Sequence, residues 1–160
     1  MPATSQQLHN AASSAGAGRL EHILGVSHIY KATAEETGGS FVCLELTVPA
    51  GHGIPTHLHT REDESFYVVE GTVLIHGDDV PDGKPMGPGA FFYGPRGRRH
   101  TFHNPGPETA KLLVVAIPGA NLEAMFGELA VLTKQGPTPE KVSELCARFG
   151  IHFDPPPAGS

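Results

Sequence analysis

Two histidines two residues apart, His57 and His59, are followed by three consecutive acids, Glu62, Asp63 and Glu64, and much later by His100. Alternate side chains of a strand share a face, so the imidazoles of His57 and His59 point the same way. Glu64 lies at an odd offset from His59 and would face the other side of an unbroken strand. The polar run Thr60-Arg61-Glu62-Asp63 can bend the chain and return Glu64 to the same interior, although Glu62 and Asp63 compete for the same role. Three neutral imidazoles and one carboxylate suit a divalent Fe, Mn, Ni, Co or Zn ion. Four protein ligands leave one or two positions of an octahedral ion open, and open positions signal catalysis or ligand binding rather than a closed structural site.

Such residues need strands and tight turns to meet. Short apolar runs predict strands at Ser27–Thr33, Phe41–Val48, Thr56–His59, Glu64–Glu70, Thr72–His76, Ala90–Phe92, His100–Phe102 and Lys111–Ile117. Residues 77–89, with their glycines, prolines and aspartates, read as a turn-rich loop. Gly71 and Gly89 fall at turns that call for positive φ, Pro95 and Gly97 shape the turn that delivers His100, and Asn104 ends that strand. Eight or more short strands punctuated by turns predict an all-β barrel or two-sheet sandwich. The period then changes. Leu122, Met125, Phe126, Leu129 and Leu132 recur at helical spacing behind Asn121, a plausible N-cap. A second helix starts with Thr138 as N-cap and Pro139 at its first position, carries Val142, Leu145 and Phe149, and ends at Gly150. Helices this short must dock on the barrel.

The 160 residues fit one domain able to bury a core, and the 20 glycines and 15 prolines lie scattered between the apolar runs. A net charge of −6 and no basic stripe argue against nucleic-acid partners. Cys43 and Cys146 form no CxxC pair and read as small buried residues. Residues 1–18 and 155–160 carry almost nothing to bury and are expected to be disordered. The first 18 residues lack the charged and apolar regions of a signal peptide, and no run reaches membrane-spanning length, so a cytoplasmic protein without membrane partners is expected.

Ten positions in two stretches now matter together: Gly51, His57, His59, Glu64 and Gly71, then Gly89, Pro95, Gly97, His100 and Asn104. In residue type and spacing they resemble the two motifs of the cupin superfamily. The resemblance implies a double-stranded β-helix (jelly-roll-like) barrel at about 23–118, within a single domain spanning 19–154 whose helical tail covers about 121–150. It also implies one metal ion at His57, His59, Glu64 and His100. The step from Glu64 to Gly71 selects Glu64 over Glu62 and Asp63, which are expected to be solvated turn acids. His52, His76 and His103 are not expected to be ligands. Arg98 and Arg99, flanking His100, read as exposed turn charges, with a guard for an anionic substrate at the pocket mouth as the alternative.

Within that superfamily the run from His57 to Gly71 and the tail ending Ala147-Arg-Phe-Gly-Ile-His-Phe153 resemble small single-domain proteins similar to quercetin 2,3-dioxygenases. The resemblance implies a dioxygenase acting on an aromatic or enolic small molecule that chelates through oxygen, with Glu64 as general base. Phe66, Val68 and Phe102 would line an apolar pocket, joined by Phe41 or Val42 with Leu44, Phe92 or Tyr93, and Val114 or Val115, while Met125 and Phe126 would close one end. Two alternatives stay open: a non-redox metal-dependent isomerase, cyclase or hydrolase, and a ligand-binding protein without catalysis. A homodimer is expected, pairing through a sheet edge at residues 23–48.

Overall fold

A computed structural model describes residues 8–155; the expectations of disorder at 1–7 and 156–160 lie outside the described residues. Residues 8–18 hold no helix or strand, and the Lys31 ammonium donates to the carbonyls of Ser14 and Ala17 there. The chain then runs β1 (Arg19–Ile23), β2 (Val26–Ala32), β3 (Val42–Val48), β4 (Gly53–His59), β5 (Asp63–Glu70), β6 (Val73–Gly77), β7 (Val80–Met86), β8 (Phe91–Gly94), β9 (His100–His103) and β10 (Ala110–Ile117). Two helices, α1 (Ala120–Thr133) and α2 (Pro139–Arg148), and a last strand, β11 (Ile151–Phe153), complete it.

All strand pairs are antiparallel and fall into two sheets, ordered β1-β2-β3-β10-β5-β8 and β11-β4-β9-β6-β7. Burial alternates residue by residue along β3 and β10, as expected of strands with one face on a core and one toward solvent. The core is filled by Val42, Leu44, Leu46, Phe66, Leu112 and Val114 from the larger sheet and by Val73, Ile75 and Phe102 from the smaller. The all-β, jelly-roll-like barrel with two C-terminal helices is therefore present.

The structure departs from the sequence reading at several elements. Residues 80–86 are not loop but β7, paired with β6 through Val73↔Met86, Leu74↔Pro85 and Ile75↔Lys84. Pro81 and Pro85 are tolerated because β7 is the outer strand of its sheet and has only one neighbour to satisfy. The short strands β1 and β11 are additions that weak local patterning concealed. Helix α1 starts two residues early, with Gly119 as N-cap and no side-chain cap; Asn121 lies inside the first turn with its amide engaged elsewhere. Helix α2 follows expectation: Thr138 Oγ1 accepts from Lys141 N, and Pro139 stands at the first position. Both helices dock on strands, α1 on β1 and β3 and α2 on β11. In the larger sheet β2 and β3 are interior strands and the free edges are β1 and β8, so most of residues 23–48 present no edge for a second copy.

Two devices hold the site's frame. At Gly71 φ is +73°, and a Cβ would come 2.7 Å from the Thr109 carbonyl oxygen, so the turn from β5 into β6 requires glycine. Asn104 is 1% exposed, and its side chain stitches the exit of β9: Nδ2 donates to the carbonyls of Val48 (2.9 Å) and Glu108 (2.8 Å), while Oδ1 accepts from Gly106 N (2.8 Å). Replacing it by alanine strands two carbonyls and one N–H away from water. Asn104→Ala is expected to cost about 2–4 kcal/mol in urea unfolding.

Candidate metal centre

His57 and His59 occupy alternate inward positions at the end of β4, and His100, opposite His57 across the β4–β9 pair, opens β9. Glu64 comes from the other sheet, at the start of β5. The bend at Thr60–Glu62 carries the chain between sheets, which is how an odd offset in sequence becomes a shared interior. All four side chains are buried, and their ligand atoms lie within 4.8 Å of one another. Gly94, beside Glu64 on β8, leaves room for the ring: a Cβ there would come 3.0 Å from His100 Nδ1.

The hydrogen bonds around the rings test whether a cation belongs among them. His57 Nδ1 lies 2.8 Å from the Pro55 carbonyl, which only accepts, so Nδ1 carries the proton and Nε2 is bare. His59 Nδ1 lies 3.4 Å from a Glu62 carboxylate oxygen and donates likewise. The two Nε2 atoms nevertheless face each other at 3.2 Å, and Glu64 Oε2 lies 3.2 Å from His59 Nε2 and 3.0 Å from His100 Nε2. Electron pairs this close need positive charge between them. Neighbouring ligands on an octahedral ion with bonds of about 2.1 Å are separated by about 3 Å, so the four residues fit a divalent metal.

Without a metal, a proton meets part of that demand. Burial alone would lower the pKa of His59, but the Glu64 charge and hydrogen bonds to Glu62 and Glu64 hold it at about 9. Burial, then repulsion from His100 and His59, pushes His57 down to about 3. Glu64 sits well below the usual carboxylate range: burial opposes this, and the His59 charge with the His100 hydrogen bond overcomes it. His100 differs from the other two rings in that its buried Nδ1 has no hydrogen-bond partner. Aromatic contacts hold that ring instead, with Phe66 and Phe92 each 5.8 Å away between centroids.

The other expected residues are divided. Phe66 and Phe102 pack edge to face at 5.5 Å beside His100, and Phe92 rather than Tyr93 joins them; Tyr93 and Phe41 are exposed. Val42, Leu44 and Val114 face inward. Val68 is fully enclosed two residues beyond Phe66, level with Leu112. Met125 is buried under α1, and Phe126 packs on His28 at 5.0 Å. His103 and His52 are exposed, and His76 is half-buried away from the cluster. Arg98 pairs with Asp79 and Arg99 with Asp154, exposed ion pairs that tie down both guanidinium groups. Asp63 is half-buried and opens β5 rather than lying in the turn, and its carboxylate is held by Arg96 at 3.0 Å.

Glu62 corrects the sequence reading. It is not solvated but 1% exposed, bonded to His59 and to Asn121. Motif spacing names ligands and is silent about what stands behind them. His28 was also overlooked, although the alternation Val26, His28, Tyr30 on β2 marks it as inward-facing. Its Nδ1 lies 3.2 Å from its own strand's Val26 carbonyl, and burial pushes it to about 4.

Two pH effects follow. A metal must displace the His59 proton, so affinity for zinc is expected to fall about tenfold for each pH unit below about 9, read by titration calorimetry. For His28, the unfolded chain takes up a proton near 6.5 that the folded chain refuses until about 4. Stability is therefore full above about 6.5 and is lost as pH falls toward 4, with about 3 kcal/mol at stake. His28→Phe is expected to flatten that acid limb in denaturant titrations.

No curated protein sequence matches the chain. Among solved structures, a predicted oxalate decarboxylase from Thermotoga maritima superposes with a TM-score of 0.59 at 19% identity, covering 68% of this chain and 99% of that one. The polyketide cyclase RemF from Streptomyces resistomycificus gives 0.59 at 23% identity, over 69% of this chain and 80% of that one. KdgF from Halomonas sp. gives 0.56 at 17%, over 64% and 90%. At such identities the likeness is one of fold. The cupin domain family model matches residues 44–116, the stretch that supplies His57, His59, Glu64 and His100.

Proposed function

We propose that the chain is a metal-dependent enzyme acting on an aromatic or enolic small molecule that chelates through oxygen, with dioxygenation as its reaction. The observation that carries this reading is the juxtaposition of a cation-demanding cluster of four side chains with the aromatic wall of Phe66, Phe92 and Phe102. A divalent metal held by His57, His59, Glu64 and His100 would polarise the substrate's oxygens and, if redox-active, support dioxygen chemistry.

The chain's own side chains supply the rest. Phe66, Phe92 and Phe102 present an apolar, flat-sided surface that favours a ring over a flexible polar chain. Glu64 Oε2 takes both histidine contacts, which leaves Oε1 to accept the proton of a substrate hydroxyl. His57 and His59 donate outward from Nδ1 and have only Nε2 free, the atom a bound metal would occupy, so neither is left to take that proton. The burial of all four residues excludes bulk water from the proton transfer.

A second reading is non-redox chemistry on the same residues, isomerisation or cyclisation of a keto or polyketide-like substrate. The fold likeness to a polyketide cyclase favours it. The deciding experiment loads purified protein with Fe, Mn, Co, Ni or Zn and supplies a flavonol and related enols. Dioxygenation predicts oxygen uptake matched to loss of flavonol absorbance, strict dependence on a redox metal, and a fall in kcat of at least about a hundredfold in Glu64→Gln. Turnover with zinc under anaerobic conditions would establish the second reading instead, and saturable ligand binding without turnover under any loading would leave a binding protein.

A further inference from the structure

Each of the three bend residues Thr60, Arg61 and Glu62 is bonded to the C-terminal tail. Thr60 Oγ1 and Thr60 N both donate to the Gly150 carbonyl, at 2.9 and 2.8 Å. Arg61 Nη1 donates to Asn121 Oδ1 at 2.9 Å, and Arg61 Nη2 to the Arg148 carbonyl at 3.5 Å. Glu62 uses both oxygens: Oε2 faces His59 Nδ1, and Oε1 accepts from Asn121 Nδ2 at 2.5 Å. Asn121 Nδ2 also donates to the Phe149 carbonyl at 2.8 Å, so one amide spans the bend, α1 and the end of α2. Beyond it β11 pairs with the ligand strand itself, Ile151↔His59 and Phe153↔His57.

Two costs in this arrangement point to a purpose beyond packing. A carboxylate 1% exposed is expensive to bury, and an apolar side chain of similar size would fill the same seam more cheaply. Asparagine is among the best N-cap residues, yet α1 begins without a side-chain cap while Asn121, two positions on, spends its amide on Glu62 and Phe149. With Gly119 in the cap position the missing side-chain cap costs about 0.3 kcal/mol, a small penalty beside that of the buried carboxylate. Both costs are explained if the carboxylate must stand behind His59. There it accepts the hydrogen bond from Nδ1–H, fixes the ring's tautomer and orientation, and leaves the Nε2 lone pair for the cation.

We infer that Glu62 and Asn121 are positioning residues for His59, and that through them the tail of α1, α2 and β11 is coupled to the metal centre. The inference rests on the ligand set and is independent of which reaction the centre performs. Coupling is reciprocal: a metal that favours the His59 geometry favours the docked tail, and a loosened tail weakens the metal.

The test uses full-length protein with zinc as the probe, read by calorimetry and by hydrogen exchange. Glu62→Gln is expected to weaken zinc binding 10–100-fold and Asn121→Ala several-fold, each at unchanged one-to-one stoichiometry. In wild-type protein, zinc is expected to slow amide exchange across residues 139–153, and in Glu62→Gln at saturating zinc most of that protection should be missing. In zinc-loaded protein the His59 Nδ1–H proton should resonate far downfield and exchange slowly with solvent in wild type, and should move upfield and exchange faster in Glu62→Gln, which a merely structural role would not produce. Wild-type protein that binds zinc with the same affinity as both variants would overturn the coupling alone, as would tail exchange indifferent to zinc. Wild-type protein that binds no divalent metal would overturn the ligand set beneath it. If Glu62→Gln fails to fold, Asn121→Ala and the wild-type exchange experiment still decide.

Discussion

Two imidazole nitrogens facing each other at 3.2 Å, each on a ring whose other nitrogen has already committed its proton, set the terms for this molecule. Lone pairs so placed repel unless a positive charge lies between them. The commitments come from main-chain and loop groups, the Pro55 carbonyl behind His57 and the Glu62 carboxylate behind His59. The demand for a cation is thus built into the way β4 is laid down and bent. Glu64 adds a negative charge from the opposite sheet and deepens it. The apolar strand faces around the cluster raise the energy of any charge left uncompensated. Fold and site are therefore one problem: the two sheets must close for the four side chains to meet, and the meeting is favourable only when a cation satisfies it.

Much of this was legible because strands and turns write their geometry into spacing. The two-residue step from His57 to His59 gives a shared face, and the step from Glu64 to Gly71 runs from an inward carboxylate to a turn that only glycine fits. These features belong to local backbone geometry, so they survive in the sequence. Glu62 was misread for the opposite reason. It lies in a bend with no periodicity, and its burial depends on Asn121, a residue far along the chain. Strand β7 was lost because its prolines and glycine speak for a loop, and only its place at a sheet edge makes them harmless. Strand β11 is three residues long, too short to show any pattern. What stayed hidden was pairing between distant segments.

The three histidines are not held alike. His57 and His59 are aimed by hydrogen bonds, whereas His100 is aimed by rings and by the bare backbone of Gly94. The side of the cluster nearest the aromatic wall is consequently shaped by van der Waals contact, which a bulky planar molecule can share. The side nearest the tail is shaped by directional polar bonds, which exclude alternatives. A single site thus has a fitted wall and a fixed wall, and the difference follows from which sheet edge and which tail segment each histidine meets.

The position of β11 beside β4 also governs the order in which the barrel can be finished. The strand carrying His57 and His59 lies between β9 and β11 in its sheet. On a chain synthesised from its N-terminus, β9 emerges well before β11, with β10 and both helices between them. During that interval β4 is paired on one side only, and the backbone groups of its other side remain an open template for any extended chain that comes near. Docking of Ile151–Phe153 closes this edge, so the strand that carries His57 and His59 passes from an open template to an interior strand only when the tail is in place.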